Sequence, residues 1–271
     1  MKNRTVLLSL IIIIVVLILL LLTNNKTQEN FQNDIYTAVI IEPRKHKALH
    51  FVLKNYLENL DNNWNILILH GNLNKTYIID IINNKLSMYK DRITLKSLNK
   101  DNVTWEEYST LLATPLLYDL IPTEVFLIFQ TDSMIIPRNK NNINDFIKYD
   151  YSGGPWKMQE NSDWKFVNGH VGNGGLSLRR KSKMLEIINR CPYKGYEFAK
   201  KNTEDIYFSL LCPEVNINKP SFDEAKKFAS DSILDKNSFG IHKCWQYYSI
   251  EDVLKVFPEA EELYKLQGSE D

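Results

Sequence analysis

The chain has 271 residues, 44% of them hydrophobic, three cysteines, and 33 Lys and Arg against 33 Asp and Glu for a formal net charge of zero. That balance excludes the basic field needed for nucleic-acid binding and the acidic excess of a solvating tail, so partners must be sought at local sites. Cys191, Cys212 and Cys244 have no metal-ligand spacing, and the odd count leaves at least one thiol unpaired if a single disulfide forms in an oxidising compartment.

In chain order, Val6–Leu22 is an apolar run without charge, Gly or Pro. At a rise of about 1.5 Å per residue, residues 6–23 are long enough to span a hydrocarbon core roughly 30 Å thick. A cleaved signal peptide is the rival reading, but the exit Leu-Leu-Thr-Asn-Asn-Lys lacks the small-residue cleavage pattern, and the run reads as an uncleaved anchor. Lys2 and Arg4 in the tail 1–5 keep the N-terminus cytoplasmic, giving a single-pass type II protein whose C-terminal domain is lumenal or extracytoplasmic. Residues 24–35 form a polar stem, and 36–271, about 240 residues, make one domain. Asn25, Asn74 and Asn102 head Asn-x-Thr triplets that this topology would turn toward the glycosylation machinery.

Within the domain, Tyr36–Ile41 is a β-branched strand, His46–Leu60 an amphipathic helix, and Trp64–Leu69 a second strand. A helix begins around Tyr77–Ile82, a weaker strand covers Ile93–Leu98, and Trp105–Leu120 is a helix interrupted at Pro115. Val125–Phe129 is the most continuous apolar strand, the pattern of a strand buried on both faces. Alternating strands and helices predict an α/β fold on a mostly parallel sheet. Helices are predicted at Lys181–Asn189 and Glu204–Leu211, and Ser249–Asp252 opens a C-terminal helix.

Four segments carry chemistry. Phe129-Gln130-Thr131-Asp132-Ser133 follows the buried strand, where ligands of open α/β sheets bind; Asp132 either offers a carboxylate to a cation bridging two phosphates or opens a turn. Gly172-Asn173-Gly174-Gly175 before Leu176–Arg180 either lets a ligand approach the backbone or forms a bulge. Glu204 and Asp205 open a helix, where the helix dipole favours acids; either carboxylate could also act as a general base. His242 and Lys243 pair a metal-ligating side chain with a phosphate-binding one. In Asp150–Trp156, Tyr151 and Trp156 form either a sugar-stacking platform or a packed corner.

Taken in order, Val39–Arg44 (VIIEPR), FQTDS, DYSGGPW, GNGGLSLR, EDIYFS and GIHKCW resemble the blocks of the DUF5672 family, whose members resemble GT-A glycosyltransferases. The resemblance implies a GT-A-like nucleotide-sugar transferase fold over 36–271, a mostly parallel central sheet flanked by helices. It further implies a glycosyltransferase that moves sugar from a nucleotide-sugar donor to a glycan, protein or lipid acceptor. Glu42, Arg44, Gln130, Thr131, Asp132, Gly174, Gly175, Arg179 and Lys243 would bind the donor. Gln130 stands where the family's Asp-x-Asp motif has its first acid. Asp132 and His242 would hold Mn2+ or Mg2+, or Lys243 and Arg179 would meet the phosphate charge instead. Asp205, or else Glu204, would deprotonate the acceptor in an inverting displacement. A catalytically silent sugar or nucleotide-sugar binding module and a nucleotide-sugar hydrolase on the same fold are the alternatives.

Overall fold

Every side chain of Val125–Phe129 (β4) is buried, because both faces of this strand are covered. The computed structural model describes residues 35–195 and 203–267, so the predicted anchor 6–23 lies outside the described residues. Among the described residues no helix is long and apolar enough to cross a membrane. Cα packing sets Tyr36–Asp271 apart as a unit of its own.

The first half follows the sequence pattern. Strands Tyr36–Glu42 (β1), Trp64–His70 (β2) and Ile93–Ser97 (β3) alternate with helices Leu49–Asn59 (α1) and Lys75–Lys85 (α2). Helix Trp105–Leu112 (α3) starts at a capping box between Thr104 and Glu107 and ends before Pro115, which begins helix Pro115–Leu120 (α4). Pro at a first helical turn lacks only an N–H that would have no intrahelical partner there, so the interruption expected at Pro115 is the start of a second helix.

Strands Ser133–Ile135 (β5), Tyr151–Ser152 (β6), Leu176–Arg180 (β7), Ala229–Ser230 (β8) and Gly240–His242 (β9) complete two sheets, of order β3-β2-β1-β4-β7-β6 and β5-β9-β8. The large sheet is mixed: β3, β2, β1 and β4 run parallel, whereas β7 pairs antiparallel with β4 and with β6. One face packs Ala38, Ile40, Ile66, Ile68 and Leu127 against α1, α2 and the helix Ile250–Val256. The other packs Val39, Ile41, Leu67, Phe126 and Ile128 against α3, α4, helix Lys181–Arg190 (α5) and helix Glu204–Leu210 (α6). Double coverage explains why β1 and β4 read as continuous apolar runs.

Two sequence expectations resolve here. Asn74 is fully buried, its amide donating to the Glu42 and Arg44 carbonyls at 2.8 Å each, so in the folded chain it is not a glycosylation acceptor. Cys191 and Cys212, which follow α5 and α6, form a disulfide across a sequence separation of 21, and Cys244 is a free, buried thiol. Closing a loop of that length removes chain entropy from the unfolded state, so Cys191→Ser with Cys212→Ser is expected to lower stability by about 3 kcal/mol and the melting temperature by roughly 6–12 °C. Equal melting of oxidised and reduced protein would show that the bond contributes nothing.

Candidate active site

The reversed strand β7 brings the glycine segment to the carboxyl end of β4. Leu176, the first residue of β7, pairs with Phe129, the last of β4, so Gly174 and Gly175 come beside Gln130. The small sheet adds the rest. Ser133 at the start of β5 pairs with His242 at the end of β9, and β8 runs parallel to β9, so Asp132, His242 and Asp231 share one end of that sheet.

Cavities meet over this point. The first, about 300 Å³, lies over the ends of β1 and β4 and is lined by Glu42, Arg44, Thr104, Gln130, Thr131 and Asp132. The Glu42 carboxylate accepts from the Arg44 amide at 2.8 Å and its Nε at 3.0 Å, which closes the loop after β1 into a rigid corner. A second cavity, about 430 Å³, shares Trp105, Tyr108 and Gln130 with the first and reaches Gly174, Gly175, Glu204, Asp205, Asp231 and His242. A third, about 680 Å³, shares Arg44, Thr131 and Asp132 with the first and adds Lys45, Lys47 and Lys243.

Asp132 Oδ1 stands 3.3 Å from His242 Nε2, and Lys243 Nζ is 4.0 Å from Oδ2. Burial works against the Asp132 charge, but His242 and Lys243 outweigh it and hold the carboxyl below its ordinary value. The imidazole is raised in turn: burial would lower it, and Asp132 overcomes burial. Among the described residues no group of three or more His, Cys, Asp or Glu is arranged to hold a metal ion. The pair Asp132 and His242 nevertheless fits a cation that would take its other ligands from phosphate and water. Asp132 Oδ1 is buried without a hydrogen-bond partner, and its distance from Nε2 suits neighbouring positions around one ion. Lys243 adopts a left-handed conformation, φ 46°, its amide donating to the Asp132 carbonyl at 3.0 Å. A non-Gly residue held there costs of order 1 kcal/mol, so the β9 end is over-determined by its surroundings.

The glycines admit protein side chains. A Cβ on Gly175 would lie 2.0 Å from His242 Nε2, and one on Gly174 would lie 2.0 Å from Glu204 Oε1. Glu204 itself is buried and bonded to Arg179 at 2.7 Å. Arg179 is fully buried, its guanidinium 5.1 Å from the Tyr151 ring centroid and 5.4 Å from that of Phe208. Burial would lower its pKa, but the Glu204 charge raises it above the ordinary value. Arg179 lines none of the cavities described, so its cation meets Glu204 beneath the cleft. Asp205 is half-buried and lines the second cavity, its carboxylate accepting from the Gly174 amide at 3.1 Å, the Ile206 amide at 2.9 Å and the Thr203 hydroxyl. Tyr151 is fully buried, a packed corner; Trp156 packs over Gly172 yet also borders the second cavity.

Asp231 has no counterpart in the sequence reading. It is 7% exposed, lines the second cavity, and accepts no hydrogen bond among the described residues. Burial, reinforced by Asp205 and Asp132, pushes its carboxyl up to about 6 against the pull of His242. The strands that place it have two and three residues, too short to leave a periodic signal.

Breaking the buried ion pair strands a charge, so Glu204→Ala is expected to cost about 3–5 kcal/mol of stability. Asp205→Asn, which keeps an acceptor oxygen, is expected to cost no more than about 1 kcal/mol; comparable losses in chemical denaturation would contradict this division. For Asp231, a folded pKa above the ordinary 3.8 means the fold binds the proton more tightly. Its favourable contribution is present at low pH and is lost as pH rises through about 6. Asp231→Asn is therefore expected to melt like the wild-type protein near pH 4 and to be the more stable at pH 8, by up to about 3 kcal/mol; melting that is equal at both pH values would refute the assignment.

The fold resembles those of glycosyltransferases. The glycosyltransferase GlyE of Streptococcus pneumoniae TIGR4 superposes with a TM-score of 0.50 at 10% identity, over 88% of this chain and 61% of that protein. The bifunctional glycosyltransferase WbbM superposes with a TM-score of 0.51 at 9% identity, over 87% of this chain and 52% of that protein. The chain thus spans only about half to three-fifths of their lengths. No curated protein matches the sequence. The sequence model of the family described as "Protein of unknown function (DUF5672)" matches residues 92–242, more than half of the chain and the stretch that holds Gln130, Asp132, Asp205, Asp231 and His242, and the chain belongs to that family.

Proposed function

We propose that the chain is a glycosyltransferase that moves a sugar from a nucleotide-sugar donor to an acceptor hydroxyl. One observation carries this: a cleft over the ends of β1 and β4 that Asp132 lines adjoins, at Gln130, an acid-floored cavity holding Asp205 and His242, and His242 stands 3.3 Å from Asp132. The nucleotide lies against Glu42, Arg44 and Thr131, and the sugar against Gly174 and Gly175. The likeness to glycosyltransferase folds supports the class of reaction.

In this reading the acceptor oxygen bonds to the anomeric carbon as that carbon's bond to the diphosphate breaks, inverting its configuration. The acceptor proton passes to Asp205, whose orientation is set by Gly174, Thr203 and Ile206. Glu204 is engaged by Arg179, and the two position the start of α6. Charge on the departing diphosphate is met by Lys243 and Arg44, which line the third cavity with Asp132. Mn2+ or Mg2+ held by Asp132 and His242 would add Lewis-acid stabilisation to the same oxygens.

The apolar run 6–23 anchors the chain as a type II membrane protein with the catalytic domain outside the cytoplasm. The Cys191–Cys212 disulfide supports an oxidising compartment.

Calorimetric titration of the full chain in detergent with UDP, GDP and CMP sugars, first with manganese and then with EDTA, tests the donor site. Binding of one nucleotide class is expected, weakened at least about tenfold by EDTA, with Asp132→Ala in manganese matching the wild type in EDTA. Asp205→Asn is expected to keep donor affinity and lose transfer by about a hundredfold or more. Absence of nucleotide binding under either condition would end the transferase reading; free sugar released without an acceptor would make the protein a hydrolase.

A further inference from the structure

The proposed function leaves the transferred sugar open, and the second cavity restricts it. Its charge is one-sided. Among its described lining residues there is no Lys or Arg and one imidazole, that of His242, while Glu204, Asp205 and Asp231 all face it. Arg44, Lys45, Lys47 and Lys243 gather instead around the third cavity, on the other side of Asp132. The Lys and Arg side chains described around the cleft thus lie on its diphosphate side, and the sugar side is lined by three further acids.

Some polar groups of the second cavity lack partners. The Ser109 hydroxyl and the Asn173 side-chain nitrogen are buried without a hydrogen bond, although both residues line the cavity. Asp231, nine-tenths buried, accepts none among the described residues. Unpaired buried donors and acceptors are costly in a free protein, and a ligand that supplies both kinds relieves them. Asn173 requires an acceptor, Asp231 a donor, and Ser109 takes either. A polyhydroxylated ring offers all of these. Trp105 and Tyr247, 62% and 39% exposed, add aromatic faces for its C–H surface.

We propose that the second cavity binds the transferred sugar as an uncharged ring, with hydroxyls on Asp231, Asn173 and Ser109, and rejects sugars that carry a carboxylate. A uronate group would face Asp205 and Asp231 at close range, with no Lys or Arg among the described lining residues and the one imidazole, that of His242, already engaged by Asp132. This rests on the nucleotide-sugar reading above, because the ring enters attached to the diphosphate.

The test uses matched donors on the full chain in detergent with manganese: UDP, UDP-glucose and UDP-glucuronate, or GDP, GDP-mannose and GDP-mannuronate where the guanine class binds. The nucleoside diphosphate reports the donor site alone. The uronyl donor is expected to bind at least tenfold more weakly than its neutral partner, and Asp231→Asn to narrow that gap by threefold or more. Ser109→Ala removes an unpaired hydroxyl, so it is expected to leave the melting temperature unchanged or raised while weakening the neutral donor severalfold and sparing the diphosphate. Diphosphate binding with equal affinity for neutral and uronyl donors overturns the proposal and leaves the transferase reading standing. So does a gap untouched by Asp231→Asn with neutral binding untouched by Ser109→Ala. Loss of diphosphate binding itself would remove both.

Discussion

The antiparallel pairing of β7 with β4 is the constraint on which the cleft depends. Had β7 entered parallel to β4, its leading glycines would lie at the opposite end of the sheet, a strand length from Asp132. Reversal puts the beginning of one strand beside the end of another, so Gly174 and Gly175 stand against Gln130 while Arg179, further along β7, is carried below the floor. There Arg179 meets Glu204 from α6, and that buried ion pair sets where Asp205, the next residue, faces the cavity. Sheet, helix start and candidate base are therefore mechanically one unit. The disulfide reinforces it from the far ends of α5 and α6.

The electrostatic pattern follows from the same geometry. Carboxylates placed at strand ends and at one helix start would repel one another if water did not reach them. The structure answers each differently: Arg179 for Glu204, backbone amides for Asp205, His242 and Lys243 for Asp132. Asp231 alone among them is left without such a partner among the described residues. A site in which most acids are satisfied internally and one is held in reserve has its ligand preference concentrated in that one group.

Much of the first half was legible in the chain itself. β1, β2 and β4 appear as apolar runs because helices cover both faces, and Pro115 marks the break between α3 and α4. Asp132 is legible as a polar residue after the most apolar strand, Gly175 as part of a glycine run, Asp205 as an acid opening a helix and His242 as a ligand-type side chain beside a Lys, and the structure brings them to one cleft. The roles of Arg179 and Glu204 were not legible: charge in a sequence does not say whether it faces solvent or another charge, and this pair is settled only by the β7–α6 packing. The same holds for Tyr151, which is buried in the apolar cluster on this face of the sheet with Arg179 over its ring. Strands β5, β8 and β9 escaped because two or three residues carry no period, and Asp231 escaped with them.

Gly175 and His242 share one volume, since a methyl group on the first would displace the ring of the second, and Gly174 stands in the same relation to Glu204. Substitutions at these positions are consequently not independent events. A chain that gains a side chain at position 175 must shift or replace the imidazole at 242, and with it the nitrogen beside Asp132. One that gains a side chain at 174 must move the acid that answers Arg179. The two adjacent glycines thus serve as a marker, readable in any related sequence, of whether the imidazole and the buried ion pair can coexist with the rest of the cleft.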